Sequence, residues 1–302
     1  MAANSNVAEE HGLGTEGKGM RIHRAIASAV SVVLAAVPAF AAGGAGEAEP
    51  AGPSSQLQMA MTIYAAGITI GKVDMDATIR GGQYHVASNL STSGVVNAFW
   101  KSEIQATSSG RIGPKTLEPT LYDSFDTNHA SSKQEVSLTY EPGGAPRLFA
   151  QPAYKTTGYE VPVAQQKDTF DPLSAVMFLT SGVAVSASDP CALTMPVFDG
   201  RRRYNVELSK IKDANVHMDN GLYNGPGVVC AIKYRQLSGF KPNIIKQNEK
   251  FPPIQAWIAV FPSSIAGRNY VLPLKVWANT PYGLVAVVAS SIRIDGAPPK
   301  SS

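Results

Sequence analysis

Asp74 and Asp76 stand two residues apart, a spacing that puts both carboxylates on the same side of a strand. Two such acids can divide acid and base roles when their surroundings hold one of them protonated. Here they alternate with Val73, Met75, Ala77 and Ile79, so the pattern reads them as charge on a solvent face. Beyond residue 41 the histidines are His85, His129 and His217, none in H-E-x-x-H spacing. Cys191 and Cys230 have only each other as partners and are read as a disulfide, so no metal or cofactor site is expected. The chain has no G-x-S-x-G elbow and no phosphate-binding glycine loop. Ser238-Gly-Phe-Lys241 matches S-x-x-K, but that chemistry needs Ser and Lys one helical turn apart, and Gly239 and Pro242 break a helix there. The expectation is a protein without catalysis.

Binding chemistry is better represented. Arg201, Arg202 and Arg203 follow Asp199-Gly200, a strong two-residue hairpin signal between Met195–Phe198 and Arg201–Leu208. Guanidinium groups beside a turn can grip a phosphate or carboxylate with paired hydrogen bonds. The structural reading places Arg201 and Arg203 in solvent and Arg202 inward, on the face of Tyr204, paired with Asp199 or Asp171 because an unpaired buried charge is costly. The second binding feature is apolar. Ile254–Phe261, Val271–Ala278 and Leu284–Ile294 are apolar on both parities, which a strand covered on one side only would not be. They form either plain core or the wall of a lipid cavity, and Met75, Met177, Met195, Trp257 and Trp277 suit both.

These residues are carried by a chain built for export. Arg21 and Arg24 precede an apolar run from Ala25 to Val37, followed by Pro38-Ala-Phe-Ala41, the three parts of a secretory signal peptide cleaved after Ala41. The run is far short of the roughly 20 residues that span a bilayer, so no transmembrane segment is expected in the mature chain. Residues before Met20 read as an upstream extension, and 42–56 as a flexible lead-in rich in Gly, Ala, Glu and Pro. Three acids and three bases lie in residues 1–41, so the net charge of +3 survives cleavage, and nucleic acid is not expected as a partner.

From Leu57 to Asp295 the text is strand and turn. Ile68 and Ile70 differ in parity from Val73 and Met75, and a bulge at Gly71 would keep both pairs inward. Gly81-Gly82 turns the chain toward Tyr84, Val86 and Leu90. Gly94–Trp100 is either strand or a short helical turn. Further strands are read at Leu117–Phe125, Gln134–Tyr140 and Arg147–Ala150. Asp171-Pro172 then opens a helix that Gly182 closes, and its residues are apolar nearly all round, the mark of a buried helix. Val228, Cys230, Ile232 and Tyr234 are in phase, which puts Cys230 on an apolar face.

The order of these features resembles the bacterial exported family known as domain of unknown function 3108. Ser109-Gly110-Arg111-Ile112, Leu117-Glu118-Pro119 with Tyr122, Asp171-Pro172-Leu173-Ser174 and Phe198-Asp199-Gly200-Arg201-Arg202 carry the likeness, over roughly Gln58 to Asp295. The resemblance implies a periplasmic β-rich protein. In plan it is similar to the open-barrel lipoprotein carriers of the envelope and to β-spiral envelope-integrity proteins. The expected fold is therefore mainly β: one curved antiparallel sheet, open barrel or spiral, around one buried helix near 172–181. The expected role is non-enzymatic binding of an envelope lipid, lipoprotein or other amphipathic component. The alternative is a solid-core structural or interaction protein contacting envelope proteins, such as a periplasmic protein, or peptidoglycan, and the least favoured reading is a hydrolase built on scattered carboxylates.

Overall fold

Period-two sequence broken by short turns gives a meander of antiparallel strands. The computed structural model describes residues 52–94, 101–128, 132–186, 188–242, 252–281 and 283–299. The expected signal peptide, most of the lead-in, residues 95–100 and His129 lie outside them. The first half comprises β1 (Ser54–Ala65), β2 (Ile68–Arg80), β3 (Gln83–Thr92), β4 (Ser102–Ile112), β5 (Leu117–Asn128), β6 (Ser132–Thr139) and β7 (Arg147–Gln151). Two helices follow, α1 (Val163–Gln166) and α2 (Pro172–Thr180). The second half comprises β8 (Leu193–Phe198), β9 (Arg203–His217), β10 (Asn224–Ser238), β11 (Ile254–Pro262), β12 (Asn269–Thr280) and β13 (Gly283–Ile294).

All thirteen strands belong to one sheet, ordered β7-β6-β5-β4-β3-β2-β1-β13-β12-β11-β10-β9-β8. The first and last strands meet in its middle, with Leu57 opposite Ile294 on one side and Ala77 on the other. The sheet does not close, because β7 and β8 are its two edges. Gly81 and Gly82 form the two-residue β2–β3 turn, both at positive φ, as a turn that follows strand twist requires.

Three expectations need correction. The lead-in ends sooner than residue 56: Ser54 and Ser55 already belong to β1, and Ser55 is buried, its hydroxyl bonded to Asp295 and to Tyr270. The bulge beside Gly71 exists, with Tyr64 opposite Thr69 and Ile63 opposite Gly71. It does not turn Ile68 inward; that side chain is exposed, since β2 has reached the end of the sheet there. The short helix α1, uncapped by any side chain, was not expected, and a single polar turn after Pro162 carries no apolar periodicity to announce it.

α2 is the helix the sequence describes. Asp171 caps it through the Ser174 N–H, Pro172 opens it, and Gly182 follows its C-cap Ser181 at positive φ. It touches β3, β4 and β5 from the first half of the sheet and β8 and β12 from the second. Two apolar clusters result. Leu173 and Met177 join Leu57, Val86, Phe261 and Leu272; Ala175 and Leu179 join Val197, Cys230, Ile258 and Val271. Neighbouring strand residues point to opposite faces, so Ile258 beside Ala259 and Val271 beside Leu272 show β11 and β12 covered on both sides. That is why their sequences do not alternate. Val176 is the exception within α2, being exposed.

Cys191 and Cys230 form the disulfide, Cα atoms 5.8 Å apart and both fully buried in the second cluster. It ties the loop after α2 to the centre of β10. Elsewhere the sheet bends where β4 and β5 slip register at Ser109/Gly110. A Cβ on Gly110 would meet the Glu118 carbonyl oxygen at 2.2 Å and the Tyr84 ring at 2.8 Å. Backbone cannot yield there cheaply, so Gly110→Ala is expected to destabilise the chain by about 2–3 kcal/mol, read as a lower denaturation midpoint with an unchanged slope.

Candidate functional site

Where the sheet fails to close, its two edges are treated differently. Phe170 lies against β8 as an added bridge: its N–H donates to the Pro196 carbonyl and its own carbonyl accepts from the Phe198 N–H, both at 2.8 Å. The other edge, β7, makes no backbone hydrogen bond except those to β6 among the described residues. Leu148 and Phe149 on β7 are 43% and 53% exposed, unusual for apolar side chains on a sheet edge. Between β7, the segment 152–161 and the β8–β9 turn lies a cleft of about 590 Å³, whose lining includes Leu148, Phe149, Tyr154, Phe198, Arg201 and one acid, Glu160, which accepts the Gly158 N–H.

The turn that closes this cleft holds the arginine run. Phe198 pairs with Arg203, so the connection has four residues, not the two that Asp-Gly suggested. The cause is Asp199: its Oδ1 accepts the backbone N–H groups of Arg201 (2.9 Å) and Arg202 (2.6 Å), folding both residues into the turn. Burial pushes the Asp199 carboxyl above the usual range, and these two N–H bonds oppose the shift. Gly200, buried at positive φ, brings the turn against Leu148, Val136 and Leu138, leaving no room for a side chain.

The three arginines therefore sit otherwise than the strand pattern implied. Arg202 is the exposed one and lies over the Phe240 ring, 5.8 Å from its centroid. Arg203 is half-buried and structural, donating to the carbonyls of Gln165 and Tyr204 and to Asn205 Oδ1, which fixes α1 to β9. Arg201 lines the cleft. Its guanidinium stacks 5.6 Å from the Tyr154 centroid, while its Nε is buried without a hydrogen-bond acceptor and the group makes no ion pair among the described residues. Burial raises the Tyr154 phenol to about 12, so the ring stays neutral beside the cation.

Asp171 pairs with no arginine among the described residues. It is wholly buried, with Oδ1 accepting the Ser174 N–H at 2.8 Å and Oδ2 taking the hydroxyls of Ser108 (3.1 Å) and Ser174. Tyr84 Oη lies 2.8 Å from Ser174 Oγ. Burial without a facing cation raises the Asp171 carboxyl to about 6, against the pull of its serine donors. Ser108 and Tyr84 were not legible from sequence as its partners, because they come from β4 and β3, 63 and more residues upstream. The one available signal was that a carboxylate opening a helix apolar on most sides must itself be covered.

Other residues singled out by sequence are dispersed. Met75, Met177 and Met195 lie in the packed clusters, at 8%, 0% and 4% exposure. Trp257 and Trp277 stack edge to face at 5.5 Å with Lys275 over both rings. Asp74 pairs with Lys72 and Asp76 accepts from Gln58, both rimming a shallow hollow with Asp123 and Glu135. His85 and His217 lie on different hairpins, and Ser238 ends β10, donating to Gln165 Oε1. Among the described residues no three His, Cys, Asp or Glu side chains converge as metal ligands, and no helix is long and apolar enough to cross a membrane.

The fold and its seam define a barrel-like β protein: an unclosed antiparallel wall wound about a helix. The chain belongs to the family described as "Protein of unknown function (DUF3108)", whose pattern matches residues 58–288. No curated protein matches it. Among solved structures it is similar to a beta-barrel-like protein of domain of unknown function DUF1849 from Brucella abortus, at 12% identity and a TM-score of 0.48, over 80% of this chain and 97% of that one.

Proposed function

We propose that this chain is an exported, non-enzymatic binding protein of the bacterial envelope that works through its outer surface and its seam. Of the two roles weighed from sequence, the solid-core interaction protein is favoured over the carrier of an acyl chain in the barrel interior. One observation carries that preference: α2 occupies the interior, and Met177, which would line a lipid cavity, is fully buried among Leu57, Leu173 and Leu272. Packing of this kind leaves no space for a chain of methylenes without unseating the helix. The export reading is supported by the signal-peptide pattern and by a disulfide, which persists in oxidising compartments.

The test expresses the full chain with its signal segment and uses the oxidised protein, expected to begin at residue 42, purified from the periplasm of the expressing cell. Titration with a dodecanoyl fluorophore is expected to give no saturable binding. Stoichiometric uptake that alters the Trp257–Trp277 emission would overturn the solid-core reading, and recovery of uncleaved, reduced protein from the cytoplasm would overturn export.

A further inference from the structure

We infer that the seam cleft is a docking site for an extended acidic peptide, which adds to β7 as a further strand and places a carboxylate on Arg201. This rests on the reading of the chain as a binding protein acting through its seam, and supplies the class of partner. Three features point to it. An antiparallel strand turns the N–H and C=O of alternate residues to each side, so about half of the five residues of β7 present both groups away from β6. Such an edge, left open beside exposed Leu148 and Phe149, is a template for another strand. By contrast β8 is already bridged by Phe170 at Pro196 and Phe198, a cover that β7 lacks among the described residues.

The third feature selects the charge. Arg201 is held by Tyr154 at the cleft wall without an ion pair among the described residues, and Arg202 lies next to it in solvent. A guanidinium with free donors on a partly desolvated wall is best satisfied by a carboxylate, which takes two of its N–H groups at once. A second copy of the chain pairing through the same edge would not provide one: β7 reads Arg147-Leu148-Phe149-Ala150-Gln151, with no acid. A peptide whose alternate residues are acidic and apolar meets both needs: on the face of Leu148, which packs at Gly200, an acid reaches Arg201, and on the opposite face its apolar side chains cover Phe149.

The experiment titrates the oxidised mature chain against a fluorescein-labelled eight-residue peptide alternating valine and glutamate, followed by anisotropy. Saturable binding is expected, at least about tenfold weaker when glutamine replaces glutamate, and about tenfold weaker for Arg201→Gln. A peptide N-methylated at every residue keeps its side chains but has no N–H to donate along either edge, and is expected not to bind. Amide exchange at 147–151 is expected to slow on binding of the unmodified peptide. Equal binding of the N-methylated peptide, no preference for glutamate over glutamine, or dimerisation through β7 in place of peptide binding would each overturn the proposal, and the first two do not depend on whether a variant folds. Failure of every peptide alongside failure of the dodecanoyl fluorophore overturns the peptide site and leaves the solid-core reading intact. Binding of the fluorophore alone overturns both.

Discussion

Asp171→Ala is expected to cost the fold roughly 2–4 kcal/mol: a helix cap is worth about 1–2 kcal/mol, and two buried hydroxyls lose their acceptor. Ser108 and Ser174 would keep their mutual contact at 2.9 Å and that of Ser174 to Tyr84, but no carboxylate would organise them. Asp171→Asn is the more informative change. Its side-chain oxygen can still accept the Ser174 N–H, so the cap survives while the charge goes. In the folded chain the Asp171 carboxyl titrates near 6, above its ordinary 3.8. Between those values the folded state holds the proton more tightly than the unfolded state does. The stability this group contributes is therefore complete below about pH 4 and is lost as pH rises through 6, a total of about 3 kcal/mol. Denaturant midpoints from pH 4 to 7 should show this decline in the parent chain and not in Asp171→Asn. The two share every other carboxylate, including Asp199, so their difference isolates Asp171. Superimposable pH profiles would show that the carboxyl is not held as described.

Removing the disulfide is expected to have the larger effect. Cys191 and Cys230 are 39 residues apart, and closing a loop of that length in the unfolded chain is worth about 4 kcal/mol on the chain-entropy account. Both sulfurs are fully buried against the second apolar cluster, so Cys191→Ala with Cys230→Ala also removes packed atoms beside Leu193, Val228 and Ile258. The double variant should unfold at a markedly lower denaturant concentration, and reduction of the parent under native conditions should be slow because the bond is covered. A midpoint within experimental error of the parent would mean that α2 and β8 are fixed without the crosslink.

The parts of this fold that could be read from sequence are those in which neighbours in the chain decide the outcome. Asp171, Pro172 and Gly182 mark α2 within a dozen positions, and the alternation around Met75 and Tyr84 marks the strands because one face is buried. Two cysteines leave one pairing. Errors arose where a polar side chain competed with the backbone pattern. Asp199 captures two N–H groups, makes a four-residue turn, and thereby moves Arg201 and Arg202 out of the strand. Arg203, placed in solvent by alternation, bends to the carbonyl of Gln165 on an element that sequence did not announce. The candidate site was illegible for a different reason. A seam exists only after thirteen strands have wound, and nothing local to Leu148 or Phe149 says that the neighbouring position in the sheet is vacant.

The central pairing of β1 with β13 also governs how the molecule can be mounted. Gln56 donates its backbone N–H to Asp295, so the segment that leads into the fold and the one that leaves it depart from a single spot. In the order of the wall that spot is as remote from β7 and β8 as the sheet allows. A tether attached at either extremity, to a membrane or to another domain, would hold the protein by its back and turn the gap outward, where a visiting chain could reach it.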